Sequence, residues 1–202
     1  AHALKTPLSV LANAANAPEK RDDDLARLVA SQVDTVRKQV DYHLSRAQAA
    51  ASVQVPGMRT AVEPVIQGLV RVMQRVHADR QLEFAVLHDQ ANLAFRGEEQ
   101  DLQEMLGNVI DNASKWARSR IEIQVSDESG KLRVSIDDDG KGIAETECDH
   151  VLKRGVRADE QVPGTGLGLA ITADLARMYG GDLVLAKSSL GGLQVSLILP
   201  AV

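Results

Sequence analysis

Ile121, Ile123 and Val125 alternate with polar residues, and so do Leu132, Val134 and Ile136, with Glu128-Ser129-Gly130 between the two runs. Strand side chains point to opposite faces in turn, so this period of two predicts two half-buried strands joined by a tight turn. Their apolar face must be covered. Helical patterns stand ready to cover it: Val62, Val65, Ile66, Leu69, Val70, Met73 and Val76 recur at helical spacing, residues 98–117 read as a helix, and Gly168–Tyr179 reads as another, capped by Gly180 and Gly181. Leu82–Leu87, Leu93–Arg96, Leu183–Ala186 and Leu193–Leu199 read as further strands. The region from 61 to 202 is therefore expected to be an α+β layered domain with mixed or antiparallel strands. Aromatic residues make up only 2% of the chain, so its core is expected to be aliphatic.

The N-terminal part reads differently. Leu4, Leu8, Leu11 and Ala15 form one helical stripe, with Pro7 disturbing its first turn. Residues 16–21 read as a turn. A second helix follows over about 22–51, with Asp22, Asp23 and Asp24 suiting its N-terminal dipole and a near-heptad seam of Val29, Val33, Val36, Val40, Leu44 (or His43) and Ala47. Two such helices make a hairpin that cannot cover its own stripe. Pairing with a second copy through residues 1–51 would give a dimeric four-helix bundle; packing on the second domain is the alternative. The expected division is a helical hairpin over 1–52, a linker over 53–60 containing Pro56 and Gly57, and the layered domain over 61–202.

Three motifs in the layered domain carry chemistry. Glu104, Asn108 and Asn112 are spaced four apart and share one helix face, with Lys115 three residues further on. Polar groups in such a place need partners, either a neighbouring strand or a ligand. Next, Asp137-Asp138-Asp139-Gly140-Lys141-Gly142-Ile143 ends a strand and sets the Asp138 carboxylate beside Gly140 and Gly142, where another group can approach closely. A carboxylate there could accept from an exocyclic amine; an acidic turn is the plain alternative, and a Ca2+ loop lacks the closing Glu. Third, Gly164-Thr165-Gly166-Leu167-Gly168 runs into a helix and would present N–H groups to an anion. It is not a Walker A loop, having no Gly-Lys-Ser/Thr.

In this order the motifs resemble the N, G1 and G2 boxes of the GHKL ATPase superfamily, which includes histidine kinases, Hsp90, MutL and gyrase-type ATPases, over about residues 60–202. The resemblance implies a Bergerat-type two-layer ATP-binding domain. It implies ATP with Mg2+ as cofactors, Asn108 on the Mg2+, and Asn112 and Lys115 near the phosphates. Asp138 would bind adenine. Gly140, Gly142, Gly164, Gly166 and Gly168, with Thr165 and Leu167 between the last three, would shape the pocket. Residues 144–163 would be a lid from which Lys153, Arg154 and Arg157 reach phosphate oxygens; it offers only Val151 and Leu152 where the family has aromatic residues. Glu104 would be a carboxylate on the ATP side.

Ala1-His2-Ala3-Leu4-Lys5-Thr6-Pro7-Leu8 decides the branch, because it resembles the H box of sensor histidine kinases. It is similar to the PhoQ-type form, which has a non-acidic residue after the His, and Gly107–Ala113 and Leu190-Gly191-Gly192 share that likeness. The resemblance implies autophosphorylation of His2 from ATP, then transfer of the phosphoryl group to an aspartate of a response regulator. Thr6, one turn beyond His2, would orient a water that dephosphorylates the regulator; bonding to its own helix is the alternative. Ala3 replaces the usual acidic residue. An ATP-binding scaffold without catalysis and an ATP hydrolase are the rival functions. His43, His77, His88 and His150 lack metal-ligand spacing and read as surface or packing residues.

A net charge of −5 makes no case for nucleic acid. The single cysteine, Cys148, excludes an internal disulfide. No apolar run reaches the roughly 18 residues of a membrane span. A chain opening one residue before such a histidine is expected to be the cytoplasmic portion of a longer bacterial inner-membrane sensor, without membrane contact in this portion.

Overall fold

The computed structural model describes residues 58–88, 92–151 and 168–202, together with Val29, Val33 and Val36. The chain divides into two compact units, 1–48 and 49–202. In the first, the three valines of the expected seam are helical, and Val29 and Val33 are exposed. The rest of the expected hairpin, with His2 and Thr6, lies outside the described residues. So do Arg154, Arg157, Gly164, Thr165, Gly166 and Leu167.

In the second unit the order is β1 (Thr60–Ala61), α1 (Val62–Val76), a 3-10 turn (Ala78–Arg80), β2 (Glu83–His88), β3 (Ala94–Phe95), α2 (Glu99–Trp116), β4 (Arg120–Asp127), β5 (Lys131–Asp138), a second 3-10 turn (Glu145–Glu147), α3 (Cys148–Val151), α4 (Gly168–Met178), β6 (Asp182–Lys187) and β7 (Leu193–Pro200). The main sheet has the order β2-β4-β5-β7-β6. β2 runs parallel to β4 and every other pair is antiparallel. β1 and β3 form a separate two-residue ladder. Thr60, expected in the linker, thus pairs with Phe95, and its Oγ1 donates to the carbonyl of Gly97 at 2.8 Å.

The alternating strands form where expected. Ser129 and Gly130 both have positive φ, 58° and 81°, and Glu128 and Lys131 exchange hydrogen bonds across them at 2.8 and 3.2 Å. That geometry matches the right-handed twist of the flanking strands and sets the register, with Ile123 opposite Ile136. Ile121, Ile123, Val125, Leu132, Val134 and Ile136 are all buried. Leu193, Val195, Leu197 and Leu199 of β7 continue the apolar face.

α2 lies over that face. Leu102, Met105, Leu106, Val109, Ile110 and Ala113 are buried, between α1 (Val62, Val65, Ile66) and α4 (Leu169, Ala173, Ala176). Each large aliphatic side chain so buried contributes roughly 1.5–3 kcal/mol. Among the described residues the buried core is aliphatic apart from Phe95 and Tyr179, which pack edge to face with ring centroids 4.8 Å apart. Two of the chain's few aromatics thus meet in one core contact.

Arg80 closes the far end of α2. Its guanidinium donates to the carbonyls of Ser114 at 2.5 Å and Lys115 at 2.8 Å, and also to that of Ala117. The last carbonyls of a helix have no partner within it, so a side chain from outside the helix supplies the cap.

Candidate functional site

The end of β5 carries three consecutive carboxylates, and the fold sends each to a different place. Asp137 accepts from Gln194 Nε2 through both oxygens at 3.1 Å. Asp139 turns toward the segment after α2, where it accepts from the N–H of Arg118 at 2.7 Å, the N–H of Ser119 at 3.1 Å and the hydroxyl of Ser119 at 2.7 Å. Burial alone would raise its pKa, but the hydrogen bonds from Ser119 and its neighbours outweigh that and hold it down to about 2.

Asp138, between them, is buried. Its Oδ1 accepts from the N–H of Gly140 at 2.8 Å and of Leu193 at 3.2 Å. Its own carbonyl accepts from the N–H of Gly192 at 3.1 Å. Both side-chain bonds fall on one oxygen, and among the described residues none is made to Oδ2. Burial raises the Asp138 pKa, the two backbone hydrogen bonds pull against it, and the charges of Asp139 and Asp137 add to the rise. A carboxyl held by one oxygen with the other left over is suited to accept from one incoming donor.

Two glycines make this arrangement sterically possible. A Cβ on Gly140 would sit 2.4 Å from the carbonyl oxygen of Trp116 and 2.8 Å from Asp138 Oδ1. A Cβ on Gly192 would sit 2.1 Å from that same oxygen. Gly142 lies against the backbone of Gly192, so the turn after β5 is stacked on the turn before β7. Gly192 and Leu193 are neighbours of Asp138 that lie outside the 137–143 motif. Leu190-Gly191-Gly192 stood out in the sequence, yet nothing local ties it to Asp138.

The helix face expected to carry the second set of polar groups is present. Glu104, Asn108, Asn112 and Lys115 all lie on α2 and are partly buried. Among the described residues, the side-chain amides of Asn108 and Asn112 make no hydrogen bond, so the neighbouring-strand alternative finds no support there. Gly168, first residue of α4, lies beside Asn108: a Cβ there would be 3.6 Å from Asn108 Oδ1. The fold thereby brings the end of the third motif against the first. Lys115 is not free-standing; its Nζ is 2.5 Å from Asp111 Oδ2. Lys141 of the second motif places its Nζ 4.7 Å from the centre of the Trp116 ring.

A divalent cation can be tested against these donors. Among the described residues no group of three His, Cys, Asp or Glu side chains gathers in metal-binding geometry. Mg2+ does not require one, since it keeps several waters and is held by few protein oxygens together with substrate phosphates. Glu104 and Asn108, one turn apart on α2, are oxygen donors of that kind, so the residues fit the ion.

Comparison with known proteins points to one family. Residues 97–202 match the model of the "Histidine kinase-, DNA gyrase B-, and HSP90-like ATPase" family. The chain is similar to the sensor protein kinase CarS of Pseudomonas aeruginosa, 37% identical over 98% of this chain and 44% of that protein. It is similar to the virulence sensor histidine kinase PhoQ of Salmonella typhimurium, 29% identical over 98% of this chain and 41% of that one. Among solved structures, a mycobacterial sensor histidine kinase, MprB, matches 71% of this chain and 97% of its own at 27% identity with a TM-score of 0.64. The chain spans less than half the length of these curated relatives. The likeness to PhoQ expected from the sequence is present, and the likeness to CarS is greater.

Proposed function

Since the chain belongs to the histidine kinase-, DNA gyrase B-, and HSP90-like ATPase family, we propose that it is the phosphoacceptor and catalytic portion of a two-component sensor histidine kinase. The carrying observation is that the similarity to sensor kinases does not stop at the ATPase domain. It runs over 98% of the chain, and so well into the N-terminal segment that precedes the family match at 97–202. An ATP hydrolase would need no such segment, and a scaffold would need no phosphoacceptor.

In this reading ATP binds between the end of β5 and α2. Asp138 Oδ2 accepts from the adenine amine, while Asn112 and Lys115, with Arg154 and Arg157, meet the phosphates. Glycines 164, 166 and 168, with Thr165 and Leu167, line the phosphate end. Asn108, with Glu104 one turn earlier, would hold Mg2+, which would supply charge neutralisation to the transferring group. A ring nitrogen of neutral His2 attacks the γ-phosphorus in line; the bond to the bridging oxygen breaks and ADP leaves. The phosphoryl group then passes to an aspartate of a response regulator, and Thr6 orients a water for the reverse, dephosphorylating reaction. The hairpin dimerises through 1–51, and the whole serves as the cytoplasmic portion of a bacterial inner-membrane sensor. No helix among the described residues is long and apolar enough to cross a membrane.

Incubation with γ-labelled ATP and Mg2+ tests this. The kinase reading requires acid-labile label on the protein that disappears in His2→Ala. Nucleotide binding without label would favour the scaffold, and phosphate release indifferent to His2 would favour the hydrolase.

A further inference from the structure

Lys115 carries the ammonium that the reading above assigns to phosphate, and a carboxylate already occupies it. Asp111 lies one turn earlier on α2, and its Oδ2 is 2.5 Å from Lys115 Nζ. Its Oδ1 faces the other way, 3.5 Å from Nε2 of His77 at the end of α1. His77 is largely buried, and its Nε2 has no hydrogen-bond partner among the described residues. Asp111 is thus bracketed between His77 and Lys115. The main chain beneath Lys115 is held separately, by Arg80 on its carbonyl.

The side chains of Asp111 and Lys115 are each 34% exposed. A pair that accessible to water is weak. A phosphate oxygen carrying more charge than a carboxylate oxygen can displace it. We propose that Asp111 is a specificity-determining residue of the nucleotide site: its carboxylate stands in for phosphate on Lys115, so a ligand gains that ammonium only if its phosphates displace it. Ligands without phosphate leave the pair intact. Asp111 therefore lowers the affinity for ATP without touching the affinity for the nucleoside. This inference rests on the nucleotide reading of the preceding subsection.

The test is a set of titrations of the whole chain with ATP and, separately, with adenosine, both with Mg2+ at low ionic strength. Asp111→Asn keeps the shape of the side chain and removes its charge; Asp111→Ser is the second variant, should the first melt early. Either is expected to tighten ATP binding roughly two- to fivefold while adenosine binding stays the same. In a Lys115→Met background the same change should tighten nothing. Salt should shrink the gain. A merely structural Asp111 would weaken ATP and adenosine alike, which overturns the proposal. So does a gain that survives in Lys115→Met, because the effect would then be a general field and not competition for Lys115. If the folded wild-type chain binds no ATP at all, the nucleotide reading itself fails, an outcome distinct from both.

Discussion

The backbone N–H of Leu193 donates to Oδ1 of Asp138 at 3.2 Å, across 55 positions of sequence. The contact joins the start of β7 to the end of β5 and leaves Oδ2 of the carboxylate for another donor. It depends on Gly192, because a Cβ there would fall 2.1 Å from the oxygen being held.

Gly192→Ala should therefore damage the site and the fold together. Forcing a methyl into this contact costs about 1–3 kcal/mol. The melting temperature is expected to fall by several degrees, at roughly 2–4 °C per kcal/mol for a chain of this size. Adenosine affinity should fall at least about tenfold in titration calorimetry, because the carboxylate has to turn away from its two backbone donors.

Asp138→Asn separates the two effects. The amide oxygen still accepts from Gly140 and Leu193, so the melting temperature should change little. The freed position then carries an NH2, which cannot accept from an amine. Adenosine and ATP affinity are both expected to drop about tenfold or more, by the loss of a hydrogen bond and the unpaired donor left behind. An unchanged adenosine affinity would remove Asp138 from the nucleotide site.

Asp139 predicts a dependence on acid. Its folded pKa is held down to about 2, below the ordinary value near 3.9. Between those values the unfolded chain binds a proton that the folded chain refuses, so stability rises with pH. The contribution is present above about pH 4 and is lost as pH falls toward 2. Asp139→Ala should lower the melting temperature at pH 7, and its difference from wild type should narrow steadily from pH 4 downward.

Tyr179→Phe should expose the cost of a buried carboxyl. Asp101 is buried near the start of α2 and accepts from the Tyr179 hydroxyl. Burial already raises its pKa, with that hydrogen bond as the main opposing influence. Without the hydroxyl the ionised form loses its donor, at roughly 1–3 kcal/mol. Urea unfolding at pH 7 should show that loss, and it should be smaller at acid pH, where Asp101 is protonated in both proteins.

Arg80→Ala removes the cap from the end of α2. The carbonyls of Ser114, Lys115 and Ala117 would turn to water, and the last turn should fray. Faster amide hydrogen exchange at Trp116 and Ala117 is expected, with exchange around Leu106 unchanged.

Much of this was legible in the chain. The alternation of 121–125 and 132–136 located the central hairpin, and Ser129-Gly130 located its turn, because side-chain period and turn chemistry are local properties. The four-residue spacing of Glu104, Asn108 and Asn112 put them on one face of α2 for the same reason. Less legible were the short β1 ladder and α3, which are two and four residues long and hold too few positions to show a period.

By itself the sequence determined which elements form, which faces are apolar and which residue types could do chemistry, since all of these follow from short-range periodicity. Only the tertiary structure decided how the three aspartates divide their work: Asp137 to Gln194, Asp138 to Leu193 and Asp139 to Ser119. It also decided that Gly168 meets Asn108 and that His77 and Lys115 flank Asp111. Adjacent aspartates look alike in a local pattern. What distinguishes them is which strand or turn supplies the N–H, and β7 reaches β5 only when the sheet closes in the order that packing allows.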